Sequence, residues 1–301
     1  MGGHFALPGR PGRDHQTFRL LTDCSRGLPL VRDGAAGEPD RDPVTVIQTV
    51  VDAGIRMIDT ADAYGNEELV GRAIRSRRDH VMLASKFGLR PRPDTPQGFD
   101  VRADPAYVRH ACDASLKRLG IGVIDLYYLH HRSDTVPIEE TVGAMAELIT
   151  DGKVRALGLS NVSAEDLHRV QAVHPIAALQ ERWSLTDRGV EDGPLSAAAR
   201  HHVAIVAHSP TSHGLLHQEP HDGGATAHPQ AILARIARQL RATPGQVALA
   251  WVHHREPIHG LRVIPLPGTT RISHARANIA AADLELPEEA LQQLDTMHAR
   301  R

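Results

Sequence analysis

The sequence predicts an α/β protein of the TIM-barrel class, a single (β/α)8 domain with extra helices at its C-terminal end. From Pro43 onward, helix-like and strand-like segments alternate, which is typical of a parallel sheet. Seven such units fit within about 250 residues, the size of a closed barrel. No G-x-G-x-x-G follows a predicted strand, which disfavours an open dinucleotide-binding sheet.

Composition divides the chain into two parts. Residues 1–42 are rich in Gly, Pro and Arg, and we expect an irregular segment that holds a short hairpin and the first barrel strand or is partly mobile. Residues 43–301 predict the barrel. Because only seven strand–helix units follow Pro43, the eighth strand has to come from the front segment.

The predicted helices carry apolar residues on one side and have recognisable ends. The first places Val46 and Val50 inward and stops at Gly54. Ser163 is expected to cap another helix, and Pro287 starts the last. The predicted helices are residues 44–53, 67–75, 105–119, 139–150, 164–173, 194–201, 229–240, 244–253, 273–281 and 288–297.

The predicted strands are short apolar runs that end on polar or turn residues, as expected for strands buried on both faces. They are residues 55–58, 81–84, 123–129, 154–159, 177–179, 203–207 and 261–264. Four loops are expected to shape a pocket above them: residues 90–104, 132–137, 182–193 and 213–228. Their many Arg and His residues hint at a polar or anionic substrate.

Overall charge and cysteine content limit the partners and the compartment. The 34 basic and 36 acidic residues give a net charge of −2, which argues against nucleic acid or an anionic membrane as the main partner. Cys24 and Cys112 form no spacing motif, which favours a reducing cytoplasmic location. No apolar run is long enough to span a membrane, and no signal-like core opens the chain.

The stretch of residues 55–65 is the centre of the functional hypothesis. Its apolar run stops at Asp59, and an acid at the end of a buried strand is unfavourable unless another group pairs with it. Tyr64 follows just before Gly65, where the chain should turn. In a (β/α) barrel this rim carries the chemistry. The alternative is that Asp59 caps the next helix and Tyr64 packs a loop.

Polar residues recur just after the last apolar residue of the predicted strands. Because these ends meet at one rim of a barrel, we expect them to line one pocket. In chain order they are Asp59 with Tyr64, Lys86, His130, Ser160, Asn161, Gln180 and Ser209.

Four of these residues suit the protonation of a carbonyl oxygen. The pKa of a Tyr side chain is ~10 in water, and the ammonium of Lys86 would lower that of Tyr64. Asp59 can pair with Lys86, and His130 can hydrogen-bond a substrate oxygen. None of them donates electrons readily, so a reduction requires a cofactor.

Each of these residues also has a purely structural explanation. Lys86 could be a solvated charge, and His130 could be a satisfied core histidine beside His131, so which histidine faces the site stays open. Ser160 and Asn161 could cap a helix, and Ser209 with Pro210 could form a turn.

Several motifs resemble the aldo-keto reductases. They are I-D-T-A-D-A-Y-G at 58–65, A-S-K at 84–86, I-D-L-Y-Y-L-H at 124–130, G-K-V-R-A-L-G-L-S-N-V at 152–162, T-P-G-Q-V-A-L-A-W-V at 243–252 and I-P-L-P-G-T-T-R at 264–271. The resemblance implies a (β/α)8 barrel that binds NADP(H). It also implies that Asp59, Tyr64, Lys86 and His130, rather than His131, form a catalytic tetrad with Tyr64 as proton donor.

The resemblance further implies the cofactor contacts. Ser160, Asn161 and Gln180 would hold the nicotinamide carboxamide, and Trp183 would stack on the ring. Arg271 would grip a 2′-phosphate and so favour NADPH over NADH. The pyrophosphate would lie against Ser209, Pro210, Thr211, Gly214 and Leu215. The adenosine end would lie against Gly268, Thr270, Arg271 and Asn278.

The sequence departs from the family pattern at several places. Residues 23–28 replace a Gly-rich strand end, Glu181 and Arg182 shift the charges after Gln180, and His208 replaces a frequent aromatic residue. The histidines of residues 213–228 could suggest a metal, but their spacing matches no metal motif, so no metal is expected.

We therefore expect an NADPH-dependent oxidoreductase that reduces an aldehyde or ketone to an alcohol, with a small carbonyl compound as substrate. One alternative is an NADP(H)-binding sensing or assembly subunit with little turnover. Another is a sugar- or polyketide-tailoring enzyme that uses the same redox site. The sequence leaves the substrate, the net direction of the reaction and the oligomeric state open.

Overall fold

Eight parallel strands form the centre of the molecule in a computed structural model that describes residues 17–19, 39–95, 98–217 and 229–297. The strands of this sheet are β1 (Thr17–Arg19), β2 (Met57–Asp59), β3 (Met82–Phe87), β6 (Ile124–Leu129), β7 (Val154–Ser160), β8 (Ala178–Arg182), β9 (Ala204–His208) and β10 (Val263–Leu266). Each pairs in parallel with the next in this order, and β1 contacts β10. The sheet therefore curls into a (β/α)8 barrel, which confirms the predicted fold class.

Strand β1 comes from residues 1–42, as expected because only seven strand–helix units follow Pro43. Thr17 pairs with Met57 and Arg19 with Asp59. The divergent residues 23–28 lie outside the described residues. The division at residue 42 stays a prediction.

Helices surround the barrel and begin where the sequence places capping residues. Asp42 accepts the backbone N–H of Thr45, and Ser163 forms a capping box with Asp166, which confirms Ser163 as a helix cap. The helices are α1 (Pro43–Asp52), α2 (Glu67–Ile74), α3 (Pro105–Leu119), α4 (Ile138–Thr150), α5 (Ala164–Val170), α6 (Gly189–Asp192), α7 (Leu195–Arg200), α8 (Pro229–Gln239), α9 (Pro244–His253), α10 (Arg255–His259), α11 (Ile272–Ala280) and α12 (Glu288–Asp295). None of these described helices is both long and apolar enough to cross a membrane.

The structure adds a hairpin inside the loop predicted at residues 90–104. Strands β4 (Leu89–Pro91) and β5 (Phe99–Val101) pair antiparallel. Arg90 and Asp100 form a bidentate ion pair across them, with distances of 2.8 and 2.6 Å. Strands of three residues are shorter than the roughly four to eight that the alternation pattern requires, so that pattern could not reveal them.

Two apolar layers stabilise the barrel. The larger lies between the strands and the helices, and a smaller one fills the barrel interior. Small residues such as Ala84, Ala156 and Ala178 leave room inside for Leu126 and Tyr128. Gly158 pairs with Tyr128 across β6 and β7. A Cβ at Gly158 would come within 2.3 Å of the Tyr128 ring.

We expect Gly158→Ala to destabilise the fold by about 1–3 kcal/mol, because the added methyl overpacks the barrel interior. Gly143→Ala is the matched control, since Gly143 lies within α4 and a Cβ there meets nothing within 4 Å. That control should gain about 0.5–1 kcal/mol. Urea unfolding followed by circular dichroism measures both, and equal stability of the two variants would contradict the packing argument.

Candidate active site

A buried ion pair lies at the carboxyl end of neighbouring strands. Lys86 on β3 is fully buried, and its ammonium donates hydrogen bonds to the Asp59 carboxylate on β2 and to the Thr60 carbonyl oxygen at 2.9 Å. An ammonium without such partners would be too costly to bury in its charged form. The two predicted residues therefore meet, with the charge of Lys86 held inside the rim.

Tyr64 lies directly above this pair. It ends a short 3-10 turn, Asp62–Tyr64, which Gly65 terminates in the left-handed region with φ of 65°. The Tyr64 ring centroid lies 5.1 Å from Lys86 Nζ. Only 7% of Tyr64 is exposed, so the phenol and the ammonium share a largely desolvated environment.

His130 completes the group of four. Its Nε2 lies 3.5 Å from the Tyr64 hydroxyl, and the two rings meet edge to face at 5.6 Å. The His131 ring instead packs 5.5 Å from Phe99, and its Nδ1 lies 2.9 Å from the Arg132 carbonyl oxygen. The structure thus places His130, and not His131, beside Tyr64.

The three residues expected at the nicotinamide end adjoin this cluster. Ser160 ends β7 and pairs with Gln180 on β8. Gln180 Nε2 donates to the second carboxylate oxygen of Asp59 at 2.8 Å. Asn161 Nδ2 donates to the His130 carbonyl oxygen at 2.9 Å and to Ser160 Oγ at 3.1 Å. The three polar side chains therefore adjoin the group of four, Gln180 through the Asp59 carboxylate and Asn161, with Ser160, through the carbonyl oxygen of His130.

Trp183 does not join this site. Its side chain is fully buried, its indole N–H donates to Glu191 at 2.9 Å, and its ring lies 5.5 Å from that of His259. With no ring face open, this position does not support the expected stacking on a nicotinamide. The resemblance could not indicate this burial, because it depends on α6 and α10, two short helices that the sequence pattern did not reveal.

The remaining cofactor positions lie on the loops after β9 and β10. Ser209 adopts φ of 53° and is followed by buried Pro210, and the Thr211 carbonyl oxygen accepts the N–H of Gly214 at 3.1 Å. The side chain of Leu215 lies outside the described residues. Gly268 and Thr270 follow β10 on the same rim.

Arg271 and Asn278 belong to the helix that follows this loop. Arg271 is the N-cap of α11, its N–H donates to Thr269 Oγ1 at 3.1 Å, and Asn278 lies half-buried on the same helix. The N–H of Ser273 at this helix N-terminus donates to the Asp40 carboxylate at 2.9 Å, so the guanidinium of Arg271 is the group here that suits a phosphate. Within the described part of the chain, no group of three or more His, Cys, Asp or Glu side chains could hold a metal.

Two acids near Tyr64, the buried Glu67 and the half-buried Asp62, were not predicted as site residues. Glu67, 1% exposed, accepts from Ser85 Oγ at 2.6 Å and from Arg118 Nε at 2.7 Å. Burial and then the charge of Glu67 raise the pKa of Asp62 to about 7. A sequence signal for Glu67 existed, because it lies at helical spacing from inward-facing Val70 and Ile74.

A model of the aldo/keto reductase family matches residues 31–299. The chain belongs to the aldo-keto reductase family. A probable aldo-keto reductase of Glycine max is 37% identical over 288 residues, which cover 87% of this chain and 81% of that protein.

Solved structures of aldo-keto reductases share the fold. An aldo-keto reductase from Klebsiella pneumoniae in complex with NADPH is 33% identical, with a TM-score of 0.71 and 86% of each chain covered. The glycerol dehydrogenase from Gluconobacter oxydans is 28% identical, with a TM-score of 0.76 over 88% of this chain and 87% of that one. Both comparisons support the barrel architecture of this aldo-keto reductase.

The raised pKa of Asp62 predicts how the stability of this aldo-keto reductase varies with pH. A carboxyl whose pKa rises from ~3.9 to near neutrality on folding stabilises the fold at low pH and loses that contribution as the pH rises through about 7. Asp62→Asn removes the titration while keeping an acceptor for the backbone N–H groups of Ala63 and Gly88.

We therefore expect the variant to gain stability relative to the unmodified protein between about pH 5 and about pH 8. Urea unfolding at both pH values measures this, with Asp79→Asn at an exposed position as control. A stability difference that is the same at both pH values would refute the assignment.

Proposed function

We propose that this aldo-keto reductase is an NADPH-dependent oxidoreductase that reduces an aldehyde or ketone to an alcohol, with Tyr64 as general acid. One observation carries the proposal: the Tyr64 hydroxyl lies 3.5 Å from His130 Nε2, above a Lys86 ammonium that is buried and paired with Asp59. Such an assembled proton donor favours turnover over cofactor binding alone. A relative that is 33% identical was crystallised with NADPH, which supports the cofactor.

Each of the four side chains has a separate part in transferring a proton to the substrate oxygen. Lys86, 5.1 Å from the Tyr64 ring, stabilises the phenolate that remains when Tyr64 gives its proton to the substrate oxygen. Asp59 keeps Lys86 charged by accepting its hydrogen bond. His130, beside the hydroxyl, positions the carbonyl oxygen for protonation. Bound NADPH would supply the hydride to the carbonyl carbon.

The donor set at the rim fits a nicotinamide dinucleotide. Amide and hydroxyl groups of Ser160, Asn161 and Gln180 would hold the carboxamide. The loop after β9 would lie along the pyrophosphate, through Ser209, Pro210, Thr211, Gly214 and Leu215. The loop and helix after β10 would take the adenosine end, through Gly268, Thr270, Arg271 and Asn278.

We also propose that the enzyme works in a reducing, cytoplasmic compartment on a small carbonyl compound. The two cysteines without a spacing motif support the compartment. The buried Cys112 thiol, whose pKa burial raises to about 12, stays protonated at neutral pH.

We expect Tyr64→Phe to lower the reductive rate constant at least ~10²-fold, because the variant keeps the ring but lacks the acidic proton. NADPH binding should be retained. Loss of NADPH absorbance with a panel of aldehydes and ketones measures the rate. Tyr107→Phe on α3 is the matched control and should react like the unmodified enzyme. Near-normal turnover in Tyr64→Phe would refute the role of Tyr64.

We expect Arg271→Gln to weaken NADPH binding by ~10-fold or more, because charge-assisted hydrogen bonds to a phosphate are lost. NADH, which lacks the 2′-phosphate, should bind with little change. Fluorescence titration of both nucleotides measures this. Arg276→Gln, on the exposed side of α11, removes the same charge without altering the phosphate site. Equal losses for NADPH and NADH would contradict the assignment.

A further inference from the structure

Glu181 is a charged residue to which the proposed reaction assigns no role. It follows Gln180 on β8, and successive side chains of a strand point to opposite faces. Gln180 points into the barrel toward Asp59, so Glu181 points away from the barrel axis. There it is only partly accessible to solvent. Such a position usually holds an apolar side chain, so the carboxylate calls for a physical explanation.

The partner of Glu181 is the backbone of the neighbouring turn. Its Oε1 accepts the N–H of Val162 at 3.2 Å, and the N–H of Asn161 also stabilises the carboxylate. Asn161 has φ of 55°, in the left-handed region, which asparagine adopts more readily than most residues other than glycine. Two backbone donors on one carboxylate hold the turn in this conformation. Glu181 thus braces the turn that presents Asn161.

The charged side chains around this turn are engaged elsewhere. Arg182 pairs with Asp187 at 3.4 Å, and Arg132 pairs with Asp166 at the start of α5 at 2.9 Å. Within the described ranges, no ion pair includes Glu181. The carboxylate is therefore stabilised by backbone dipoles and not by a cation.

We propose that Glu181 is a positioning residue for the cofactor, whose carboxylate holds the Asn161 turn in the conformation that receives the nicotinamide carboxamide. The inference rests on the proposed function, because it assigns Asn161 to the cofactor. It extends that function by naming a group that acts through Asn161 without touching the cofactor.

The protonation state of Glu181 couples cofactor affinity to pH. Burial raises the pKa of Glu181 to about 7, although the two backbone donors oppose the shift. Above that pH the carboxylate makes charge-assisted hydrogen bonds to the turn, and below it the neutral acid is a weaker acceptor. The affinity for NADPH should therefore rise with pH across neutrality.

As the pH rises, folding stability should change in the direction opposite to NADPH affinity. A carboxyl with a raised pKa stabilises the folded state below ~4.3, and this contribution is lost as the pH rises through about 7. Glu181→Gln keeps an acceptor oxygen without a buried charge. At about pH 8 this variant should be more stable than the unmodified protein and yet bind NADPH less tightly. A merely structural role would change both quantities in the same direction.

The test compares the unmodified protein, Glu181→Gln and the control Glu165→Gln, which removes an exposed carboxylate from α5. NADPH dissociation constants are measured by fluorescence titration at about pH 6 and about pH 8. We expect Glu181→Gln to bind about 3- to 10-fold more weakly than the unmodified protein at the higher pH and nearly equally at the lower. Titration of the NADPH 2′-phosphate affects all three proteins equally, so it cancels in the ratio of the dissociation constants of a variant and the unmodified protein.

A second measurement needs no cofactor. Hydrogen exchange of the peptide that contains Val162 should be faster in Glu181→Gln than in the unmodified protein at about pH 8 and unchanged in Glu165→Gln. If the unmodified protein binds NADPH but the ratio of dissociation constants is the same at both pH values, the inference about Glu181 is overturned and the proposed function stands. If it binds no NADPH at all, both are overturned.

Discussion

The burial of one ammonium group determines how this active site is built. Lys86 lies within the barrel rim without solvent exposure, and a charge there is tolerated only if its donors are satisfied. Asp59 and the Thr60 carbonyl oxygen satisfy it, and the second oxygen of Asp59 accepts from Gln180. Strands β2, β3 and β8 are therefore tied together across the rim by one carboxylate. Removing one partner of such a pair typically destabilises a protein by about 3–5 kcal/mol.

A second polar layer supports the first. Glu67 on α2 receives hydrogen bonds from Ser85, the neighbour of Lys86, and from Arg118 on α3. Asp62 belongs to the turn that carries Tyr64, and burial and then the charge of Glu67 raise its pKa to about 7. The family relatives share the barrel, and this polar layer lies beside the turn that carries Tyr64. The proposed proton donor is thus flanked by buried charges that have no part in the proposed reaction.

The proposed nucleotide end of the site depends on backbone conformation more than on side chains. Among the described residues, five other than glycine have a positive φ, and three of these, Asn161, Ser209 and Ser212, follow strands on the rim. Conformations of this kind are unfavourable unless surrounding contacts hold them, and they concentrate at functional sites. Glu181 holds the first, and a hydrogen bond from the Ser212 N–H to the Ser209 carbonyl oxygen at 2.9 Å holds the turn of the other two.

The sequence alone determined the barrel, the order of its main strands and helices, and the rim at which its polar residues meet. Alternation of helix and strand implies a parallel sheet, and polar residues at the ends of parallel strands have to meet. Contacts between residues distant in the chain decided the rest. They distinguished His130 from His131, buried Trp183 beneath short helices and gave the first strand its partner at β2. They also placed Glu181 beneath Asn161, because strand register and side-chain burial follow from packing and not from local pattern.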